Sequence, residues 1–518
     1  MSQAPVDRTL QGAGLVAAAT VGGLGLEYVV RQRIAASLGP DGYGKVYLAL
    51  AAGTLLAKVA QVGLEQGVKR FASLHIAVGE RPLARACVRA ALLITLLSSL
   101  VMAAGLSVCA PSIAAFLFGG AEDAPLVWIA VWAIPGLALL EVAQNALLAF
   151  RRNVSAMLVT PIAEKALTVA LVLPALAYPP SVVGSLSGLV VAIAIAALPG
   201  CWLAVRDSGQ DRGETGSVRG VSRRLLGFSW PLQVAGVSTL LLNRLDATLV
   251  GAFASAREVG YVHAALPLAA LALIGFTGIA VVLAPPFMEF VAKRDFVGFR
   301  AFYLRVQQWG MCVTGPCVAF MVAFPEDLLS TLFSPAFTPA APLLRLLSLG
   351  FLVGAASGPC GAALLALGKT RATMAATLAG LAALCLVDLA LLPTMGICAM
   401  GAARIAAFAT FYGISLVVLR SALGPLGLVR RAASSLACVA LSVAAGLLAA
   451  GTLGGLHAVF RLAAGGGIVV TVFAAAALLF GVVTAEDRAA LAAIWRAYAT
   501  RRPRAPHSSE PVLGRSAP

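Results

Sequence analysis

The sequence predicts an all-α polytopic membrane protein of about fourteen transmembrane helices, and three observations carry that expectation. First, its 518 residues are 60% hydrophobic and only 12% charged, and the mean hydropathy is +0.93, whereas soluble domains run to about 25% charged residues. Second, the charges gather in short clusters between apolar runs of membrane-spanning length. Third, no stretch alternates polar and apolar residues over the ten or so positions of a barrel strand. Helices and closed barrels are the two ways to pair every backbone polar group in hydrocarbon, so the runs read as helices.

Taken in order, the spans fall at about 11–37, 43–67, 87–110, 126–150, 156–177, 182–205, 226–250, 259–287, 303–325, 341–367, 373–394, 397–419, 433–455 and 462–484. The first follows a lone Arg8, holds Glu27, Arg31 and Arg33, and has no small-residue cleavage site after it, so it reads as a retained span rather than a signal peptide. Between the sixth and seventh lies the longest polar stretch in mid-chain, Arg206 to Arg224, rich in Gly, Ser and charge, which reads as a flexible linker. Before the ninth span, the stretch Glu289 to Trp309 interleaves Phe290, Phe296, Phe299, Phe302 and Tyr303 with Lys293, Arg294, Arg300 and Arg305, a pattern that suits an amphipathic helix lying at the interface. The last two spans carry no internal charge and are expected at the periphery. The tail 485–518, with Arg496, Arg501, Arg502 and Arg504 among prolines, is expected to be an interfacial helix followed by disorder.

With these spans one face receives Lys69, Arg70, Arg81, Arg85, Arg151 and Arg152, together with the basic residues of the linker and of the later loops on that side. The other receives little beyond Lys45, Arg257 and Arg461. The positive-inside rule then places both termini in the cytoplasm of a bacterial inner membrane. The net charge of +16 follows from that topology and from anionic headgroups, not from a nucleic-acid partner.

The nine cysteines sit mainly in apolar segments, none of them in a Cys-x-x-Cys, and read as small core residues. There is no P-loop, no His-Glu-x-x-His, no Gly-x-Ser-x-Gly and no metal spacing, so neither an enzyme nor a cofactor or metal is expected.

A linker halfway along a row of spans invites a search for duplication. Gly44-Lys-Val46-Tyr-Leu-Ala49 resembles Gly260-Tyr-Val262-His-Ala-Ala265, 216 positions on, and Ala146-Leu-Leu-Ala149 with Met157 resembles Ala363-Leu-Leu-Ala366 with Met374, 217 positions on. An offset of six spans preserves orientation. The expectation is therefore two parallel six-helix lobes around a central cavity, with two additional C-terminal helices. The units are 1–205 (spans 1–6), the linker 206–225, 226–420 (spans 7–12), 433–484 (spans 13–14) and the tail 485–518.

Ionisable groups inside spans cost about 3 kcal/mol each on insertion scales, so they face a cavity or one another. Glu27 and Arg31, four apart on the first span, share one helical face and can pair. The corresponding seventh span carries Asn243, Arg244 and Asp246; the last two are two apart, so Arg244 needs another partner. Lys58, Gln61 and Glu65 line one stripe of the second span, and Glu141, Gln144 and Asn145 one of the fourth. Asp388, Arg404 and Arg345 complete the set, with Arg345 near enough to the outer end of its span to snorkel. The cations Arg31, Lys58, Arg244, Arg345 and Arg404 suit an anionic substrate such as a lipid-linked phosphate, whereas Glu27, Glu141, Asp246 and Asp388 either balance charge or couple to an ion or proton.

Several short motifs then resemble one family. They are Leu38-Gly-Pro-Asp-Gly42-Tyr-Gly44 before the second span, Gly63-Leu with Lys69-Arg-Phe71 at its far end, Phe228-Ser-Trp-Pro231, Leu245-Asp246 followed by Leu249-Val-Gly251, and Val259-Gly-Tyr261. On these the chain is similar to the multidrug/oligosaccharidyl-lipid/polysaccharide exporter superfamily, and within it to the Wzx-type polysaccharide flippases, over about four-fifths of its length. The resemblance implies transfer of an undecaprenyl-diphosphate-linked oligosaccharide between leaflets by alternating access, with a cationic lumen for the diphosphate. It also implies polysaccharide polymerase and chain-length proteins as partners. A cation-coupled drug exporter on the same architecture, resting on Glu27, Asp246 and Asp388, is the alternative. A polymerase, ligase or glycosyltransferase would need larger outer loops than this chain offers.

Overall fold

The computed structural model describes residues 4–77, 79–150, 162–177, 179–207, 255–273, 293–425 and 427–483 with scattered positions between, and over 4–21 the backbone alone. Among these residues the structure is helical and contains no strand.

The first helical element, α1 (Ala4–Ala60), is 57 residues long and broken at Gly39, whose φ of 66° and ψ of −176° only glycine adopts readily. Pro40 follows and starts a second arm, where its missing N–H costs nothing. The break reverses the chain. Arg31 and Tyr47, sixteen residues apart, would be separated by about 24 Å along a straight helix, yet the Arg31 guanidinium lies 4.4 Å from the centre of the Tyr47 ring. So α1 is the first two expected spans folded against each other.

A second break lies where the sequence suggests a continuous span. Val62 has φ 53° and Gly63 φ 73°, and the chain resumes as α2 (Leu64–Ala77), bent by 44° from the preceding arm. Left-handed geometry is rare for a β-branched residue, so Val62 is a strained position.

The first half continues with α3 (Arg81–Val108), α4 (Ala110–Phe118), α5 (Ala124–Val131), α6 (Ala133–Ala149), α7 (Lys165–Ala177) and α8 (Val182–Asp207). The second half has α9 (Ala256–Leu271), α10 (Phe296–Ala323), the short α11 (Pro325–Leu332), a 3-10 turn at Pro335–Ala340, α12 (Ala341–Ser357), α13 (Cys360–Ala366), α14 (Thr370–Met395) and α15 (Cys398–Leu423), with α16 (Leu428–Thr452) and α17 (Ala458–Leu479) behind them. Among the described residues eight helices are long and apolar enough to cross a membrane, and ten when each of two bent pairs counts as one span. The expected seventh span, the linker and the tail lie almost wholly outside the described residues.

One expectation is corrected here. The aromatic and basic stretch before the ninth span is no separate interfacial helix beyond residue 295, because Phe296 begins α10 itself. Asp295 caps it by accepting from the Gly298 N–H at 2.8 Å, and Phe299, Tyr303 and Leu304 are buried in the core of the second half rather than laid on a surface. The amphipathic pattern belongs to the first turns of a spanning helix. The other end of α10 turns through 85° into α11.

Helices of the first half pack on one another, α6 with α8 and α1 with α6, α7 and α8; those of the second half do likewise, α12 with α15 and α14 with α15. The additional pair α16 and α17 packs on α10. The two halves meet chiefly where α1 crosses α9, and the contact there is reciprocal. A Cβ on Gly44 would run into the carbonyl of Ala256, and a Cβ on Gly260 into the carbonyl of Pro40. Arg257 Nε donates to Asp41 Oδ2 at 3.0 Å. Positions 40 and 256, 41 and 257, and 44 and 260 are each 216 apart, the offset of the sequence repeat. Matching residues that touch across an interface in both directions are the mark of a two-fold relation.

Candidate substrate and coupling site

The kink at Gly39 determines what Arg31 touches. Glu27 Oε1 accepts from Arg31 Nε at 3.0 Å and from Nη2 at 2.7 Å, the one-turn pairing the sequence suggests. The folded-back arm adds the Tyr43 hydroxyl at 3.3 Å from Arg31 Nη1 and the Tyr47 face beneath the guanidinium. From α7, Lys165 Nζ lies 3.4 Å from Glu27 Oε2 and 3.1 Å from Glu164 Oε2. Two cations and two carboxylates thus form one chain, Arg31–Glu27–Lys165–Glu164.

Two cavities meet at the Glu27–Arg31 pair. One, of about 220 Å³, lies inside the first half and is lined by Tyr47, Thr54, Glu164, Lys165 and Thr168 besides the pair. The other, of about 290 Å³, lies between the halves and is walled by Leu24, Tyr28, Pro267, Leu268, Leu271 and Phe333. The first chamber sets charged and hydroxyl groups among aliphatic side chains such as Leu50, Leu137 and Ile193, the second is almost wholly apolar apart from the pair, and the same ion pair forms part of both walls.

Lys58 occupies a second cluster at the break in the second span. Its ammonium lies 2.9 Å from Glu65 Oε1 and 2.7 Å from Glu141 Oε1, and Gln61 Nε2 donates to Glu141 Oε2 at 2.6 Å. Here the structure brings together Lys58 and Glu141, expected in separate roles, around a buried Glu65. The break also strands backbone acceptors. The Val62 N–H bonds Val59 rather than Lys58, so the Lys58 carbonyl accepts instead from Gln233 Nε2 at 2.7 Å, and the Ala60 carbonyl from the Ser98 hydroxyl at 2.6 Å.

The remaining expected residues lie apart from these clusters. Arg345 bonds Glu326 at 3.0 Å and the Val322 carbonyl at 3.1 Å, which ties α12 to the bend between α10 and α11. Arg461 pairs with Asp327 and fastens α17 to that bend. Arg404 is wholly buried on α15, its guanidinium 5.8 Å from the Phe408 ring, and Asp388 is buried on α14; neither lines the two cavities. Arg244 and Asp246 lie outside the described residues. At the exposed rim, the hydrogen bond and charge of Asp41 push the Arg257 guanidinium further up from its ordinary value. Among the described residues no cluster of three or more His, Cys, Asp or Glu is placed to hold a metal.

Sequence reasoning missed Glu164 and Lys165, although two adjacent charges inside the apolar run 156–177 were a visible signal. Tyr43 and Tyr47 carried no such signal, because only the reversal at Gly39 brings them to Arg31.

A multi-pass helical bundle in two halves, with buried charge facing interior cavities, defines a membrane transporter fold. The model of the polysaccharide biosynthesis protein family matches residues 9–291, and the chain belongs to that family. No curated protein matches it by sequence. Among solved structures it is similar to the lipid II flippase MurJ in an inward closed conformation, at 12% identity and a TM-score of 0.68 over 90% of this chain and 98% of that one. It is also similar to an inward-facing multidrug resistance MATE family transporter of the MOP superfamily, at 14% identity and a TM-score of 0.64 over 78% and 95%. A MOP superfamily transporter from Pyrococcus furiosus follows at 15% identity and 0.55 over 80% and 96%. At these identities the likeness is one of fold.

Proposed function

We propose that this protein moves a lipid-linked oligosaccharide, an undecaprenyl-diphosphate-linked glycan, from the cytoplasmic to the periplasmic leaflet of a bacterial inner membrane. The observation that carries the reading is the pair of chambers meeting at Glu27–Arg31, one with charged and hydroxyl groups in its wall and one almost wholly apolar. A substrate with an anionic, hydroxyl-rich head and a hydrocarbon tail needs such a junction. Arg31 offers the head a planar fork that matches phosphate oxygens, with Lys165 as a second cation. Glu27 holds both cations in place until a phosphate arrives. Polysaccharide polymerase and chain-length proteins would take up the product, and no chemical step falls to this chain.

Each chamber is smaller than the roughly 300–1,000 Å³ of a drug-sized site. The halves must therefore part to admit the whole substrate, and alternate opening at their two ends is the transport cycle.

The test is Arg31→Ala in the native cell. Surface glycan falls at least about tenfold at unchanged protein level, the effect of one lost charge-assisted bond pair, and lipid-linked glycan accumulates. Full surface glycan in that variant would sink the cationic-head mechanism. A second reading, cation-coupled export of drugs or other small molecules, draws on the Glu27 carboxylate in the walls of both chambers. It predicts that deletion changes toxin sensitivity and leaves surface polysaccharide intact.

A further inference from the structure

We propose that the chamber inside the first half reads the first sugar of the substrate through Glu164, Thr168 and Thr54, and that it selects a ring rich in hydroxyl or amide N–H groups over an acidic one. The inference rests on the lipid-linked glycan reading and adds to it a second subsite, on a part of the wall that a phosphate does not need. All three residues line one cavity of about 220 Å³, together with Arg31, Lys165 and Tyr47.

Hydrogen bonds within the wall decide what it can offer. A threonine hydroxyl has one hydrogen to donate and two lone pairs. Thr168 donates to the Glu164 carbonyl and Thr54 to the Leu50 carbonyl, each at 2.8 Å, so toward a ligand both oxygens only accept. Glu164 adds a carboxylate, which when ionised also only accepts, and 10% of its side chain is exposed. Glu164 and Thr168 are four apart and share one helical face. Residues 162–164 form a π turn ahead of α7, and its wider coil lets the adjacent Glu164 and Lys165 line the same cavity. The cations Arg31 and Lys165 therefore suit phosphate oxygens, while this part of the wall calls for donors.

Charge leads to the same conclusion. Glu164 ends the chain Arg31–Glu27–Lys165–Glu164, away from the junction with the apolar chamber, and among the described residues its carboxylate meets one cation, Lys165, at 3.3 and 3.1 Å. A diphosphate on Arg31 and Lys165 draws the ammonium off Glu164. The carboxylate left behind is buried, and costs free energy unless hydrogen-bond donors replace the lost partner. A pyranose joined to that diphosphate is the nearest source of them. A uronic acid would instead bring a second carboxylate beside Glu164, and like charges in one site repel.

Shape limits the subsite to one ring. The cavity is below the roughly 300–1,000 Å³ of a drug-sized site, so the first sugar enters it and the rest of the glycan stays outside. Leu137, Leu189 and Ile193 supply an aliphatic side to the wall for the C–H face of the ring. Selection then falls on the sugar next to the diphosphate and leaves the outer sugars free to vary.

The test uses the full-length purified protein in lipid nanodiscs and three probes on one short polyprenyl diphosphate: no sugar, an N-acetylhexosamine, and a hexuronic acid. Each competes with the radiolabelled sugarless probe. Wild type is expected to bind the hexosamine probe about tenfold more tightly than the hexuronic acid probe, the worth of one hydrogen bond to a charged group. Glu164→Gln removes the charge and brings the two within about threefold. Thr168→Val weakens the hexosamine probe and leaves the sugarless one unchanged, whereas Arg31→Ala weakens all three. If Glu164→Gln does not fold, the wild-type preference and Thr168→Val carry the test. The subsite is overturned, with the lipid-linked reading intact, if Arg31→Ala weakens every probe but wild type binds the two sugars equally, or if the preference survives unchanged in Glu164→Gln, or if Thr168→Val binds the hexosamine probe as wild type does. If no probe binds wild type, the lipid-linked reading fails and the subsite fails with it.

Discussion

The halves meet at two places that share a glycine on a backbone carbonyl and differ in their charged groups. At the Gly44 seam, backbone meets backbone: Gly44 and Gly260 admit the carbonyls of Ala256 and Pro40, repeat partners touch repeat partners, and the polar contributions are an exposed ion pair at the rim and the buried Tyr43 hydroxyl donating to the His263 carbonyl. At the Gly63 seam, 44° of bend and a strained Val62 leave the Lys58 carbonyl to be satisfied by Gln233 of the other half, beside the buried Lys58–Glu65 ion pair and the half-exposed Glu141. The first seam is unforgiving of shape and indifferent to ions. The second is equally tight in shape, since a Cβ on Gly63 would run into the Ser229 carbonyl of the other half, and is sensitive to charge as well.

The largest expected effect sharpens the charge side of the contrast. Lys58→Met leaves Glu65, with 2% of its side chain exposed, facing Glu141 without a cation. Removing one partner of a buried pair costs about 3–5 kcal/mol, so the variant melts well below wild type. Adding Glu65→Gln and Glu141→Gln to it should return much of the loss. A Lys58→Met protein that melts with wild type would show that the Gly63 seam does not depend on charge.

The shape side comes next. Alanine is intrinsically better than glycine in a helix by about 1 kcal/mol, so Gly44→Ala or Gly260→Ala ought to stabilise an isolated span. Instead the added methyl meets a backbone carbonyl that can move only with its helix. Overpacking of this kind costs about 1–3 kcal/mol, enough to shift a closed seam toward open by roughly fivefold to a hundredfold. A cysteine placed at Asp41 should then react faster with an impermeant maleimide, and surface glycan should fall. Gly105→Ala, where a Cβ meets nothing within 4 Å, is the control and should change neither.

How much of this was legible in the residues differs between the seams. Apolar run length gave the helical bundle, and the 216-residue offset between Gly44 and Gly260 pointed to halves that the structure brings into reciprocal contact at those residues. The Glu27–Arg31 pair followed from helical spacing alone. The break at Val62 did not, because its left-handed φ contradicts the residue's own preference and is imposed by tertiary contacts. Without the break, Lys58 and Glu65 are seven apart on one stripe, too far along a straight helix to form their ion pair, and Gln233 looks like an ordinary polar residue near the start of a span. Tyr43 and Tyr47 were hidden for a related reason, since their role depends on a chain reversal and not on a pattern. The stretch from Glu289 showed the reverse failure: a clear amphipathic pattern suggested an interface, where burial of Phe299 and Tyr303 against the second half's core was the real cause.

The smallest effect belongs to Asp41 and Arg257, and it separates the two ways a seam can be held. Both side chains are more than half exposed, so water and salt screen their attraction, which falls off over about 8 Å at physiological ionic strength. Arg257→Gln should therefore leave transport and cysteine reactivity near wild type at physiological salt, with a small rise in reactivity only at low salt. Exchanging the charges, Asp41→Arg with Arg257→Asp, should abolish even that rise, since the two positions are related by the repeat and face each other across it. If Arg257→Gln instead opened the Gly44 seam as far as Gly44→Ala does, charge rather than backbone fit would hold that end, and the contrast between the seams would fail at its first term.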